Sequence, residues 1–572
     1  MDRHELAKKI LVPRNFAVIA VVVLLSIAAI IFEPESGSPD ETYRWYSILP
    51  PLLAVSLAIA TSRVLASLLI AVITGGLLAS VPEAPGSPMA WFGGLSQGFQ
   101  FVTTNLTDSF NLQLIAFVVL SLSMIAVVII AGGLQGIVQW LARFSKGPRT
   151  AQLITAIMGL VIFIDDYANT MIVGTSMRPL TDRFRVSREK LAFLVDATSA
   201  PVAGLAVVST WVGYEVGLFN GAAETLGIEI NGYAMLFDAL PFRFYCVLML
   251  VFLFVNVISG KDFGPMARAE RRCRETGAVA EADAVPMTSP TFSAATPHET
   301  AVITPMTALI PIAALFIFLL GGIWLDGGGG LRLLEDPLSL LRFGAWRDTI
   351  SASENAVLIL AYGAGASLLI AIGCALGFSR IRLPVVGRAV LSGVRSSLLP
   401  VTILTLAWSL KSACDALGTG PFLVATVGDA VSPVWFPAIV FVIAALTSFA
   451  TGTSYGTMAI LMPTAVPIAF ALEGDTYGLI TIITLASILD GSIVGDHCSP
   501  ISDTTIMSSI ASSSDHMHHV RTQLPYSLVV GGLALGCGYI PAGFGLPAWA
   551  GMLMATGLII CLFAVLSPNQ SS

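Results

Sequence analysis

The sequence predicts an all-α polytopic membrane protein, and three observations carry that prediction. Charged residues make up 11% of the 572-residue chain and hydrophobic residues 55%, where a soluble globular protein carries about 25% charged residues. The mean hydropathy is +0.83. Runs of about 20 apolar residues, enough to cross a bilayer as helix, recur from end to end. So few charges cannot solvate the surface of a water-soluble enzyme of this length. The runs are continuous rather than short and alternating, which argues against an outer-membrane barrel.

Charge and cysteine use narrow the class further. The net charge is −7, with no basic face to hold nucleic acid. Cys246, Cys273, Cys374, Cys414, Cys498, Cys537 and Cys561 are odd in number, scattered, and form no C-x-x-C pair. Most lie in apolar runs, where cysteine behaves as a small hydrophobe, so neither a disulfide framework nor a zinc site is expected. No cofactor is expected either. The partners are the lipid bilayer and small solutes, and a homo-oligomer is compatible with the pattern.

Along the chain, residues 1–111 read as N-terminal membrane helices. The basic start MDRHELAKKILVPR leads into the apolar run Asn15–Phe32 with no small-residue cleavage site after it. That predicts a first membrane helix with its N-terminus in the cytoplasm, in a multi-pass protein of the cytoplasmic (inner) membrane. Positive clusters at Arg143–Arg149, Arg178–Lys190, Lys261–Arg274 and Arg380–Arg395 should lie inside. The Lys/Arg-poor stretches Glu33–Thr42, Val81–Asn111, Gly213–Leu240 and Ser412–Pro437 should be outside loops. Residues 112–260 form a first repeat, and 261–300, rich in Arg, Ala, Thr, Ser and Pro, reads as a mobile cytoplasmic linker. Residues 301–395 supply connecting helices and an outer loop, in which LRLLEDPLSLLRF reads equally as a short interfacial helix or a plain loop. Residues 396–572 hold the second repeat and C-terminal helices.

The repeat is visible in two motif pairs. The first half has DYANTMIVGTSMRP (Asp166–Pro179) then LVDATSAPVA (Leu194–Ala203). The second has TSYGTMAILMP (Thr453–Pro463) then ILDGSIVGDHCSPIS (Ile488–Ser502). Between the first pair the chain is basic, RPLTDRFRVSREK; between the second it is acidic, Ala471–Gly478. After the second motif the polarity reverses: Gly213–Leu240 is acidic, whereas Ser512–Gln523 carries His516, His518, His519 and Arg521. Two units inserted upside-down to each other would produce this pattern, and inverted repeats are a transporter device.

Six carboxylates sit at membrane depth: Asp165, Asp166, Asp196, Asp490, Asp496 and Asp503. An Asp at a helix centre costs roughly 2.5–3.5 kcal/mol on insertion scales. Hydroxyl and amide residues surround them, and Pro201, Gly204, Gly491, Gly495 and Pro500 read as helix breaks. Carboxylates, hydroxyls and freed carbonyls form an all-oxygen set suited to a hard cation such as sodium, and burial also favours the protonated carboxyl. For any one Asp the alternative is a helix cap near the interface. Gly452–Gly456 matches G-x-S-x-G, but without a preceding strand the match reads as chance. His497 could relay protons beside Asp496. His516, His518 and His519 read as a solvated loop.

GDHCSPISDTT within Gly491–Thr505, together with FIDDYANTMIVGTSMRP (Phe163–Pro179), closely resembles the signatures of the NhaC family of sodium/proton antiporters, with resemblance from about Leu112 to Ser567. The resemblance implies an ion transporter fold of two inverted repeats, each with a re-entrant hairpin and a broken helix. It implies that Asp166, Asn169, Thr170, Asp196, Asp490, Asp496, His497, Ser499, Asp503 and Thr504 occupy the polar motif positions of the ion path, with sodium expected at Asp490 and Asp496. The implied activity is sodium/proton exchange by alternating access rather than catalysis. The competing reading is sodium- or proton-coupled exchange of a small organic acid or amine. Lys411 is then the nearest cation for a carboxylate substrate, unless it merely snorkels to the interface. An intramembrane aspartyl protease fits less well, because Asp166-Tyr167 and Val494-Gly495-Asp496 invert or lack its motifs. A channel fits poorly with an internal duplication.

Overall fold

The structure is a computed structural model that describes residues 45–61, 64–81, 86–163, 165–285, 297–419, 422, 431–500 and 502–565. The first membrane helix expected at Asn15–Phe32 lies outside them. The described residues are helical throughout, with no strand, and ten helices are long and apolar enough to cross a membrane. The all-α, multi-pass prediction is borne out.

The core is apolar, and two features set the placement apart from that of a soluble protein. Asp165, Asp166, Asp196, Glu215, Arg243, Asp490 and Asp496 are buried, while Ile317, Phe318, Leu369, Leu553 and Leu558 stand exposed. Charges at such depth are expensive and survive by pairing, and exposed apolar side chains face lipid at no cost.

Two hairpins, each followed by an interrupted helix, position the polar residues. In the first, α1 (Pro148–Val161) is followed by α2 (Asp166–Arg183), which Asp165 caps. Helix α3 (Arg188–Asp196) then stops, and the chain passes through the single turn Ala200–Ala203 before restarting as α4 (Thr210–Leu226). Pro201, at the start of that turn, supplies no backbone N–H to extend α3. Helix α5 (Phe244–Ser259) closes this half, and α6 (Leu383–Leu417) leads to the second. There α7 (Phe436–Thr451) turns at Gly452 into α8 (Ser454–Leu472), and α9 (Leu479–Cys498) ends before α10 (Asp503–Ser512) and α11 (His516–Leu533) begin. Gly452 takes φ +70, the left-handed conformation that ends α7, and Thr453 caps α8 by accepting from Gly456 N at 3.3 Å. The G-x-S-x-G match is therefore a hairpin turn.

Five expectations change. Val81–Asn111 is not a loop but holds the helix Pro88–Thr107. Gly491 and Gly495 do not break a helix: α9 runs through them, and a Cβ there would lie 2.5 Å from Phe441 O and 2.2 Å from Ala445 O. They form a G-x-x-x-G face that lets α7 approach backbone to backbone. Within the expected linker 261–300, Gly264–Thr276 is a helix whose Met266, Glu270 and Cys273 are buried, with Glu270 accepting from Ser187 Oγ at 2.8 Å. Gly213–Leu240 is not a loop but most of α4 and the helix Gly232–Ala239. His516, His518 and His519 belong to α11, and His519 is fully buried. The outer segment LRLLEDPLSLLRF forms the short helix Gly329–Glu335 and a 3-10 turn, with Leu331, Leu334 and Leu341 exposed.

Candidate functional site

A cavity of about 1270 Å³ lies between the two halves. Asp165 and Asp166 at the head of α2, Thr210 at the head of α4, Ser454 at the head of α8, Asp496 near the end of α9 and Thr504 in α10 line it. Each hairpin thus delivers a helix start to the same space, and each interrupted helix delivers a broken end.

Capping fixes these side chains. Asp165 accepts from Ala168 N at 2.8 Å and from Thr210 Oγ1 at 3.1 Å, which ties α2 to the restart of α4. Asp496 accepts from Ser454 Oγ at 2.9 Å, the matching tie in the second half. Tyr214 and Tyr455 stack with centroids 4.1 Å apart, Tyr214 OH donates to Tyr455 O, and Trp211 meets Tyr455 edge-on at 5.0 Å. This aromatic wall joins α4 to α8. Arg388, Ser392 and Ser396 of α6 and His298 also line the cavity.

The other residues singled out from sequence sit elsewhere. Asn169 Nδ2 donates to Gly159 O and Thr198 O, both at 2.7 Å, and so ties the first hairpin to the broken helix. Thr170 is buried beside it, its hydroxyl without a hydrogen-bond partner among the described residues. Asp196 accepts from Gln523 Nε2 at 2.6 Å and Ser508 Oγ at 3.1 Å, with His519 Nε2 at 3.7 Å. Ser499 Oγ donates to Phe449 O at 2.7 Å, and His497 Nδ1 shares a hydrogen bond with Tyr245 OH at 2.7 Å. Asp503 opens α10.

Asp490 and Asp496, paired in the sequence reading, are separated. Six residues on a continuous helix turn the second side chain about 120° away from the first. Asp490 accepts instead from Arg243 Nε at 2.7 Å, Tyr245 N at 2.7 Å, Tyr539 OH at 2.8 Å and Cys246 Sγ at 3.2 Å. Arg243 NH1 also donates to Glu215 Oε1 at 3.4 Å. The sequence reading passed over Arg243 and Glu215. Their signal was there: a lone Arg opening an apolar helix, and a lone Glu in the apolar string WVGYEVGLF. Lys411 pairs with Glu224 at 3.0 Å and Asp415 at 3.1 Å and does not line the cavity.

Chemically, the cavity offers carboxylate and hydroxyl oxygens and, among its lining residues, no cysteine. That set suits a hard cation or a proton.

A family model described as the Na+/H+ antiporter family matches residues 202–543. An uncharacterized protein of Haemophilus influenzae is 30% identical over 530 residues, covering 91% of this chain and 95% of that protein. A malate-2H(+)/Na(+)-lactate antiporter of Bacillus subtilis is 31% identical over 157 residues, 27% of this chain and 32% of that protein. The crystal structure of the Alcanivorax borkumensis YdaH transporter superposes with a TM-score of 0.54 at 17% identity, covering 87% of this chain and 99% of that one. The last likeness is one of fold alone.

Proposed function

This chain belongs to the Na+/H+ antiporter family, and from that premise we propose that it exchanges sodium for protons across the cytoplasmic membrane, its N-terminus inside, by alternating access. One observation carries the reading: Asp165, Asp166 and Asp496 open onto one cavity between the two halves, with Thr210, Ser454 and Thr504 as neutral oxygen donors around them. Sodium and proton are substrates here. Each neutralises the buried negative charge around the cavity, so holding one disfavours the other without a separate coupling device. The aromatic wall of Trp211, Tyr214 and Tyr455 lies where the halves would have to part for the cavity to face the opposite side.

A second reading, exchange of a small organic acid against a cation, draws on the size of the cavity. About 1270 Å³ exceeds the roughly 300–1,000 Å³ typical of small-molecule pockets and is far more than a bare ion fills. Arg388 at its rim would meet a carboxylate.

Purified protein in liposomes with an internal pH dye separates the two. Sodium added outside an imposed proton gradient should collapse it, and potassium should not. The apparent sodium affinity should weaken with acidification, up to about tenfold per pH unit for each displaced proton. A gradient that sodium leaves intact and that malate or lactate collapses would establish the second reading instead.

A further inference from the structure

Away from the cavity carboxylates, Glu215, Arg243 and Asp490 form a cluster in which side-chain exposure is 1%, 0% and 0%. Two carboxylates share one guanidinium. If both were ionised, an unbalanced negative charge would be sealed from water, which is strongly unfavourable. The contacts say which carboxyl is neutral. Asp490 takes four donors, among them Tyr245 N in the first turn of α5, where the helix end favours an anion. Glu215 has the single long contact of 3.4 Å from Arg243 NH1. Asp490 is therefore the fixed anion that balances Arg243, and Glu215 is the member able to hold a proton.

Its position connects it to the ion site. Glu215 follows Tyr214 of the aromatic wall, and Tyr214 stacks on Tyr455, both lining the cavity with Asp165 and Asp166. The other titratable groups of the cluster are Arg243 and Asp490, with Cys246 against those two. Two charged groups on neighbouring elements are already paired: Lys411 with Glu224, and Asp238 with Arg347 at 2.9 Å.

We propose that Glu215 carries the exchanged proton on a site distinct from the carboxylates that take sodium, with Arg243 and Asp490 as its fixed electrostatic partners. The inference rests on the sodium/proton reading and assigns the proton within it. Sodium entering among Asp165, Asp166 and Asp496 adds positive charge on the far side of the Tyr214–Tyr455 pair and favours ionised Glu215. The carboxyl O–H bond breaks and the carboxylate stays beside Arg243; because Glu215 is buried and does not line the cavity, the proton leaves for water only when the halves part at the Tyr214–Tyr455 pair. Departure of sodium reverses the step.

Glu215→Gln keeps the shape and removes the titration. In liposomes it should retain sodium–sodium counterflow of labelled sodium at the wild-type rate and lose uptake driven by a pH gradient, whereas Asp496→Asn should lose both. Glu215→Asp should restore gradient-driven uptake with a displaced pH profile. Infrared spectra of the wild type at neutral pH should carry the C=O stretch of a neutral buried carboxyl, absent from Glu215→Gln. Gradient-driven uptake surviving in Glu215→Gln, loss of counterflow together with it, or an unchanged infrared band would each overturn the assignment. A wild type that carries no sodium in either assay would defeat the sodium reading alone, and the infrared comparison would still decide whether Glu215 holds a proton.

Discussion

At the scale of single residues, two aspartates of one helix separate function from folding. Asp496 faces the cavity and is held by Ser454, whereas Asp490 is the charged partner of Arg243. Asp496→Asn should abolish sodium/proton exchange and leave the melting temperature in detergent near that of the wild type. Asp490→Asn should lower the melting temperature, by up to about 3–5 kcal/mol of stability, because it removes the anion from a buried pair. Equal melting temperatures for the two variants would sink the distinction. The sequence revealed that both were costly charges at membrane depth, since an Asp among Ile, Leu and Val is conspicuous. It did not reveal their division of labour, which depends on what faces them across the fold. Arg243 lies 247 positions from Asp490, and no local pattern links the two.

At the scale of helices, the inverted duplication was legible because motif order repeats while charge polarity reverses; the hairpins followed from the family resemblance. Gly491 and Gly495 were misread because a glycine that breaks a helix and a glycine that admits a neighbour look the same in one dimension. Only the approach of Phe441 O and Ala445 O tells them apart. Gly495→Ala should therefore destabilise by overpacking, by about 1–3 kcal/mol, and be read as a lower melting temperature without a change in helix content by circular dichroism. A loss of helix content would mean that the residue shapes α9 itself. The Gly264–Thr276 helix was missed for the opposite reason. Its composition is that of a linker, and only Met266, Ala269, Glu270 and Cys273 are buried, too few to stand out among the arginines.

At the scale of the whole molecule, α6 sets an orientation. From Arg388 to Lys411 it covers about 35 Å at 1.5 Å per residue, more than a hydrocarbon core of about 30 Å. Lys411 pairs with Glu224, so Arg388 and Glu224 are expected on opposite sides. With Cys561, the one exposed cysteine among the described residues, replaced, impermeant labelling of single introduced cysteines should report positions 183, 271 and 388 inside and positions 224 and 473 outside. Positions 183 and 473 reporting the same side would end the inverted-repeat account. The Arg243–Asp490 pair has a further consequence, for the order of synthesis. The guanidinium is made 247 residues before its carboxylate, roughly 12–50 s at 5–20 residues per second. Through that interval Glu215, already made, is its only acidic neighbour from the cluster. Until Asp490 is made, Glu215 is therefore the one carboxylate of the cluster that can balance Arg243, and the second half completes the pairing of the first.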